Sequence, residues 1–303
     1  MRKISIKTII SILSAKFTLF LTKTILKGGT TFPGRVALKI DKNILSKISK
    51  GYKVILVTGT NGKTTTTSMI YNIIKESGHP VITNNTGANL FPGIVTTFVD
   101  SFKFGNKVKD NYAVIEVDEA NLKYITEYIT PEVITVTNLF RDQLDRYGEV
   151  YTTLNKILEG IYNVPETTLV LNGDESLLGK LDLKNPVHFY GFDKAVNDNK
   201  TIEINADAKF CKFCKTPYEY NFVTYNHLGD FYCPNCDYKR SDLMYAVTDI
   251  IDINADKSTV KFNDLEVSIN QSGTYNIYNG LCAYSIAKEL GIADSAIKKS
   301  LEN

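Results

Sequence analysis

Val54-Ile-Leu-Val-Thr58-Gly-Thr-Asn-Gly-Lys63-Thr-Thr-Thr-Thr67 is the stretch on which the reading of this 303-residue chain turns. An apolar run of β character, residues 53–58, leads into a turn with glycine at 59 and 62, and helical spacing then begins at Lys63-Thr64 and continues through Met69, Ile70 and Ile74. A strand, a glycine turn and a helix start bearing Lys-Thr make a phosphate cradle. The glycines let several backbone N–H groups converge on one anion, and the helix N-terminus adds partial positive charge at the same place. The nucleotide-binding candidates are therefore Thr60, Asn61, Gly62, Lys63, Thr64 and Thr65. Lys63 is expected to reach the β- and γ-phosphates, and the Thr64 hydroxyl to hold a magnesium ion. Only Thr60 and Asn61 separate the two glycines, closer than in the common G-x-x-x-x-G-K-[ST] wording. The expectation is a chain that binds a nucleoside triphosphate.

Working outward, residues 54–191 alternate strand-like and helix-like segments, the pattern of a doubly wound, mostly parallel α/β sheet. Strands are expected at 53–58, 80–83, 112–117, 132–137, 167–171 and 187–190, and helices at 64–77, 120–128, 150–162 and 175–181. Ligands in such sheets sit beyond the carboxyl ends of the strands, and the polar motifs fall there. Asn84-Asn-Thr-Gly-Ala-Asn-Leu90 follows the second strand, with the composition of a ligand loop or of an ordinary turn. Glu116 lies among Val114, Ile115 and Val117, where an unpaired carboxylate would be costly. A magnesium ion beside the triphosphate would compensate it, as would a local lysine. Thr137-Asn-Leu-Phe-Arg-Asp-Gln-Leu-Asp-Arg-Tyr-Gly148 is dense in side chains able to meet phosphate, metal or water. Residues 250–269 return to strand alternation, and 272–291 read as a capped helix ending at Gly291. Its Asn276 and Asn279 are suited to satisfying the helix start.

Four of the five cysteines form two pairs, Cys211-Lys-Phe-Cys214 and Cys233-Pro-Asn-Cys236, with 18 residues between them. That spacing is a zinc pattern, and four thiolates close a tetrahedral shell around a structural Zn²⁺. The aromatic segment between the pairs reads as hairpins around the metal. His227 is expected to be no ligand, and Cys282 an inert thiol on the apolar side of its helix. Cysteine usage of this kind belongs to a reducing compartment. With 43% hydrophobic and 22% charged residues the chain is ordinary globular protein. A net charge of +2, and a metal segment that is not strongly basic, leave no nucleic-acid footprint.

The opening segment is apolar and basic. Its longest uncharged runs, 8–15 and 17–22, are far short of the ~20 residues of a membrane span, and Lys16 interrupts any signal-peptide core. Ile6, Ile9, Ile10, Leu13, Phe17, Phe20 and Leu21 recur at helical spacing. Two readings stand: an amphipathic helix docked on the body, or one resting on an anionic membrane. Residues 28–41 read as a turn-rich entry and a short alternating strand.

The wording Thr58-Gly-Thr-Asn-Gly-Lys-Thr-Thr-Thr resembles the ATP loop of the Mur ligases and the related folylpolyglutamate synthases. The resemblance implies activation of a carboxylate as an acyl phosphate, with ATP and Mg²⁺. It also implies Lys63 and Glu116 as catalytic, Thr64 and Glu116 as magnesium ligands, and Asn276 and Asn279 near the adenine. Pro33-Gly-Arg-Val-Ala-Leu38, Thr86-Gly-Ala-Asn-Leu90 and Gln143, where many Mur ligases have His, resemble the MurT branch. An inserted Cys₄ zinc ribbon is similar to that branch too. Lys156 lies eight past Gly148, one short of the carbamylated lysine of many Mur ligases, and that role is not carried over. The branch implies amidation of the lipid II stem peptide at the D-glutamate α-carboxylate. It further implies ammonia from a GatD-type glutamine amidotransferase in a heterodimer, and work in the cytoplasm at the membrane surface. No Cys-His nucleophile pair of a glutaminase is recognisable here, in keeping with a separate ammonia source. The expected organisation is an N-terminal helical and strand segment, 1–50, then a Mur-ligase-type central domain, 51–303, with the ribbon at about 205–242 and the family's C-terminal domain absent. The rivals are an amino-acid-adding ligase of Mur or folylpolyglutamate type, and a nucleotide-binding scaffold without catalysis.

Overall fold

A computed structural model describes residues 5–24, 31–84, 88–105, 110–141, 149–202 and 208–303. Gln143, the rest of 142–148, and residues 85–87 of the Asn84–Leu90 motif lie outside them. In chain order the elements are α1 (Ile6–Thr24), α2 (Phe32–Ile40), α3 (Ile44–Ile48), β1 (Tyr52–Thr58), α4 (Lys63–Glu76), β2 (Val81–Thr83), α5 (Phe91–Ser101), β3 (Asn111–Glu116), α6 (Leu122–Thr126), β4 (Val133–Val136), α7 (Glu149–Tyr162), β5 (Thr168–Asn172), β6 (Val187–Phe192), β7 (Glu219–Tyr225), β8 (Leu228–Tyr232), β9 (Tyr245–Ile253), β10 (Ser258–Phe262), β11 (Leu265–Ile269), α8 (Thr274–Glu289) and α9 (Asp294–Leu301).

One nine-stranded sheet runs β11-β10-β9-β6-β5-β4-β1-β3-β2. From β2 to β9 every pairing is parallel, and β10 and β11 add an antiparallel edge. The central strands are apolar without interruption because helices cover both faces. Alternate residues of β1 divide between the two layers. Val54 and Leu56 join a core with Ile94, Phe98, Ile125 and Ile157, while Ile55 and Val57 join Ile70, Ile74, Leu281 and Ile286. Helix α8 is buried along almost its whole length, from Asn276 to Ala287. The chain passes from β1 to the edge strand β2, returns to β3 beside β1, and crosses β1 to reach β4, so a switch point opens at the carboxyl end of β1, which is flanked by β3 and β4. The chain leaves the sheet after β6, builds the β7–β8 hairpin, and returns to pair β9 beside β6.

Three expectations are corrected. Residues 36–40 are helical, not a strand: Pro33 in the first turn suits a helix start. Pro33, Gly34 and Ala37 turn to one buried face, and any Cβ at Gly34 would sit 1.8 Å from the Pro92 carbonyl oxygen of α5. Residues 175–181 form turns, not a helix. Their carbonyls are taken by the cysteine-rich segment instead: Tyr238 donates to Ser176 O, and Lys212 donates to Leu177 O at 3.2 Å and to Gly179 O. Helix α1 does dock, yet with the face opposite to its apolar stripe. Thr8, Ser11, Ile12, Ala15, Leu19 and Thr22 are buried, while Ile6, Ile10, Leu13, Phe17 and Phe20 are exposed. Helix α5 was not anticipated, although Pro92 in its first turn and Ile94, Val95, Phe98 and Val99 at helical spacing mark it.

Candidate functional site

At the carboxyl end of β1 the backbone turns through Gly59 (φ +116°) and Gly62 (φ +82°) into α4. Both conformations suit glycine alone, and both leave no room for a side chain. A Cβ at Gly59 would lie 2.5 Å from Thr137 Oγ1, and one at Gly62 would lie 2.3 Å from Asn279 Oδ1. The loop is strapped by the segment following β4. Thr60 N–H donates to Asn138 O (2.9 Å), Asn61 N–H to Asn138 Oδ1 (2.9 Å), and Thr137 Oγ1 to Asn61 O (2.7 Å). Phe140 N–H donates to Thr60 Oγ1 at 3.0 Å. A loop held this way keeps its backbone shape before any ligand arrives, which removes an ordering cost from binding, while the Thr60 and Asn61 amides are themselves spent on Asn138. The first amides of α4 have no partners within the helix and are the ready donors for an anion.

Lys63 curls over the loop and donates to Gly59 O (2.5 Å), Thr60 O (3.1 Å) and Glu119 Oε1 (2.8 Å). Its ammonium thus lies against the carbonyls of the turn. Thr64 Oγ1 donates to Glu116 Oε2 at 2.7 Å. Glu116 is buried at the end of β3, and its other oxygen accepts from Asn89 Nδ2 at 3.1 Å. Asn84 fixes the Glu116 backbone from both sides, accepting from its N–H (2.9 Å) and donating to its carbonyl (2.8 Å). A hydroxyl and a carboxylate converging beside a phosphate loop form an oxygen donor set suited to Mg²⁺, which takes one or two protein ligands plus phosphate oxygens and water. The local lysine foreseen as an alternative partner for Glu116 instead meets Glu119, three residues on.

Asn279 reaches the same corner from α8. Thr66 Oγ1 donates to its Oδ1 (3.2 Å), and its Nδ2 donates to Asn276 Oδ1 (3.2 Å). Asn276 in turn donates to Ser272 O at 2.8 Å. A cavity of about 180 Å³ lies between α8 and the loop, lined by Asn61, Asn138, Phe140, Tyr225, Tyr275 and Asn279 among others. Its aromatic wall has ring centroids 6.1 Å apart for Phe140–Tyr225 and 6.3 Å for Tyr225–Tyr275. An apolar slot with a few amides at its rim suits a flat heteroaromatic ring. Neither Glu119 nor this wall was singled out from sequence. Lys63 and Glu119 are 56 positions apart, and Tyr225 comes from the inserted hairpin, so no local pattern ties them together.

Cys211, Cys214, Cys233 and Cys236 converge with all four sulfurs within 4.8 Å of one another. The closest Sγ pairs are Cys214–Cys233 at 3.4 Å and Cys211–Cys236 and Cys214–Cys236 at 3.7 Å. Four sulfurs at the usual Zn–S length stand about 3.8 Å apart, so the cluster fits one tetrahedral ion. Burial pushes the Cys211 thiol up, but the amides of Cys214 and Phe213 bring it below its ordinary value. The hydroxyl and amide of Thr216 hold Cys214 down to about 5. Amides directed at thiolates are the donor chemistry of a metal knuckle. Around the sulfurs lies a small core of Tyr218, Tyr220, Val223, Phe231 and Tyr238.

The hairpin beside the sulfur cluster is tied to the strap of the phosphate loop by buried polar contacts. His227, at the hairpin tip, is fully buried, with Nε2 2.8 Å from Glu175 Oε2. The same carboxylate oxygen accepts from Leu139 N–H at 3.2 Å, beside the loop strap, and the His227 ring lies 4.7 Å from Phe140. Arg240 pairs with Asp174 (3.1 Å), whose other oxygen accepts from Tyr278 OH (2.6 Å) and Phe192 N–H (2.9 Å). His227 is therefore no part of the sulfur cluster, as expected. Cys282 is buried against Thr135 Oγ1, and burial pushes its thiol up to about 11, so it is inert. Lys156 sits exposed on α7.

The Mur ligase middle domain family matches residues 57–237. The MurT subunit of lipid II isoglutaminyl synthase (glutamine-hydrolyzing) from Streptococcus pneumoniae is 40% identical over 98% of the chain, and that from Staphylococcus aureus strain COL is 32% identical over 95%. The chain spans 66% and 64% of the length of these two relatives. The solved pseudomurein peptide ligase type C of Methanothermus fervidus matches 86% of this chain and 51% of its own, at 25% identity and a TM-score of 0.67. The strapped phosphate loop, the acid at the end of β3 and the paired asparagines of α8 are thus found in a chain that belongs to the Mur ligase family.

Proposed function

We propose that this chain is the ATP-binding ligase portion of a lipid II isoglutaminyl synthase, with residues 51–303 as its central domain and the Cys₄ ribbon, about 205–242, inserted in it. The reading is carried by the similarity to MurT subunits along 98% of the chain. The convergence of Lys63, Thr64 and Glu116 on one corner supports it. The triphosphate lies along Thr60–Thr65, with the purine in the slot beside Asn279 and Asn276. Lys63 leaves Gly59 and Glu119 for the β- and γ-phosphates. Thr64 and Glu116 hold Mg²⁺, which supplies neutralisation of the charge on the transferred phosphoryl group. The D-glutamate α-carboxylate of the lipid II stem takes the γ-phosphoryl group to give an acyl phosphate and ADP. Ammonia, released from glutamine by a GatD-type amidotransferase bound as a heterodimer, then displaces phosphate and leaves D-isoglutamine. Work of this kind belongs at the cytoplasmic face of the membrane. Zn²⁺ on Cys211, Cys214, Cys233 and Cys236 is structural, since four thiolates leave no open position for substrate.

The test is mass spectrometry of lipid II after incubation with ATP, Mg²⁺, ¹⁵N-amide glutamine, the ligase chain and its glutaminase partner. Label in the stem amide that is lost with Lys63→Ala is the expected result. ATP consumption that depends on an added amino acid rather than ammonia would replace this reading with an amino-acid-adding ligase. Nucleotide binding with no turnover under either condition would leave the scaffold.

A further inference from the structure

We infer that the outward face of α1 is a docking surface for an anionic lipid leaflet. Ile6, Ile10, Leu13, Phe17 and Phe20 alternate at spacings of four and three, so they form one stripe along the helix, and each is between 51% and 77% exposed. The rotation that presents this stripe is enforced by polar contacts on the opposite side. Ser11 Oγ donates to Ala37 O at 2.8 Å, and Thr8 Oγ1 donates to Asp41 Oδ2 at 2.7 Å. Lys47 Nζ meets the same Asp41 oxygen at 2.7 Å. Thr8, Ser11 and Thr22 are buried while five large apolar side chains are outside, the reverse of a helix whose whole apolar stripe is destined for the core. Exposed apolar surface arranged as a stripe marks a site of association.

Charge identifies the occupant. Eight of the 35 basic residues and none of the 33 acidic ones fall before Asp41: Arg2, Lys3, Lys7, Lys16, Lys23, Lys27, Arg35 and Lys39. The rest of the chain is net acidic, so the positive charge is concentrated around this helix. Lys16 and Lys23 both meet Asp100, at its carbonyl (3.2 Å) and carboxylate (3.0 Å), and Lys103 lies beside them. An apolar stripe within a basic field matches the boundary of an anionic bilayer, where acyl chains lie beneath negative headgroups. Among the described residues no helix is long and apolar enough to cross a membrane, so the contact is parallel to the surface. The inference stands on α1 alone and is independent of the reaction proposed above.

The chain contains no tryptophan, so Phe17→Trp supplies a single reporter. The test mixes this variant, without nucleotide or lipid II, with vesicles of phosphatidylcholine alone or mixed with phosphatidylglycerol, in parallel with sedimentation of the unsubstituted chain. Expected are a blue shift and co-sedimentation with the anionic vesicles only, reversed by high salt, and binding at least about tenfold weaker in Leu13→Ser/Phe20→Ser. Thermal melting of the double variant is the accompanying check, with a midpoint equal to that of the unsubstituted chain expected. Binding that ignores the double substitution, or that is equal on neutral vesicles, would overturn the inference. So would self-association abolished by the double variant without vesicle binding, which would assign the stripe to a second copy of the chain.

Discussion

The phosphate loop and the sulfur cluster are two candidate metal sites of opposite construction. The loop site is open and gathers side chains from five separated parts of the chain: Gly59–Thr66, Asn84 with Asn89, Glu116–Glu119, Thr137–Phe140 and Asn276–Asn279. Strand ends already held by the large sheet position it, so it is formed without its ligand. The cluster draws all four donors from two short knuckles inside a single excursion of the chain, around a core of only a few aromatic residues. Such a core is small, and a tetrahedral ion on the four sulfurs would supply what the packing lacks. Open sites can turn over ligands and closed ones cannot. The difference teaches that the two sites stand on different supports, with the hairpin beside the cluster joined to the sheet's loop end through His227–Glu175 and Arg240–Asp174.

Removing the metal is the largest test of that contrast. Chelation is expected to release one zinc per chain and unfold the hairpin, since structural zinc contributes on the order of 10 kcal/mol to such modules. Nucleotide affinity should fall with it; unchanged affinity in the chelated protein would separate the two sites. Lys63→Ala should lower ATP-dependent turnover about 10³-fold while leaving zinc content and melting temperature alone, and loss of zinc in this variant would break the comparison. His227→Ala leaves Glu175 buried without its ring partner, and a loss of about 3 kcal/mol in unfolding free energy is expected. Denaturant titration reads it, and a change under 1 kcal/mol would show the linkage to be idle. Smallest is Tyr225→Ala, which strips one ring from the slot. The KM for ATP should rise about fivefold to tenfold with kcat little changed, and an equal loss in kcat would move Tyr225 out of a binding role.

Legibility followed how local each signal was. The strand, glycine turn and Lys-Thr of 53–64 are contiguous, and the structure forms them within a residue of expectation. Both Cys-x-x-Cys pairs are readable because a knuckle needs nothing beyond itself. Residues 175–181 failed because helical spacing said nothing of Tyr238 and Lys212, which claim their carbonyls from about 60 and 30 positions away. The apolar spacing of α1 correctly announced a helix and left open which face would be buried. That face depended on Ala37 and Asp41, acceptors on the neighbouring chain that only packing brings near Ser11 and Thr8.

By itself, then, the sequence determined the phosphate loop, the donor set of the sulfur cluster, the succession of parallel strands from β1 to β6, and the acid at the end of β3. Each is written in adjacent residues whose backbone or ligand preferences act over a few positions. The tertiary structure alone decided that Lys63 rests on Glu119, that the inserted hairpin lends Tyr225 to the slot beside Asn279, that His227 is buried against Glu175, and that α1 turns its apolar stripe outward. Those are contacts between segments far apart in the chain, and they are set by how whole layers pack rather than by any preference a short stretch carries.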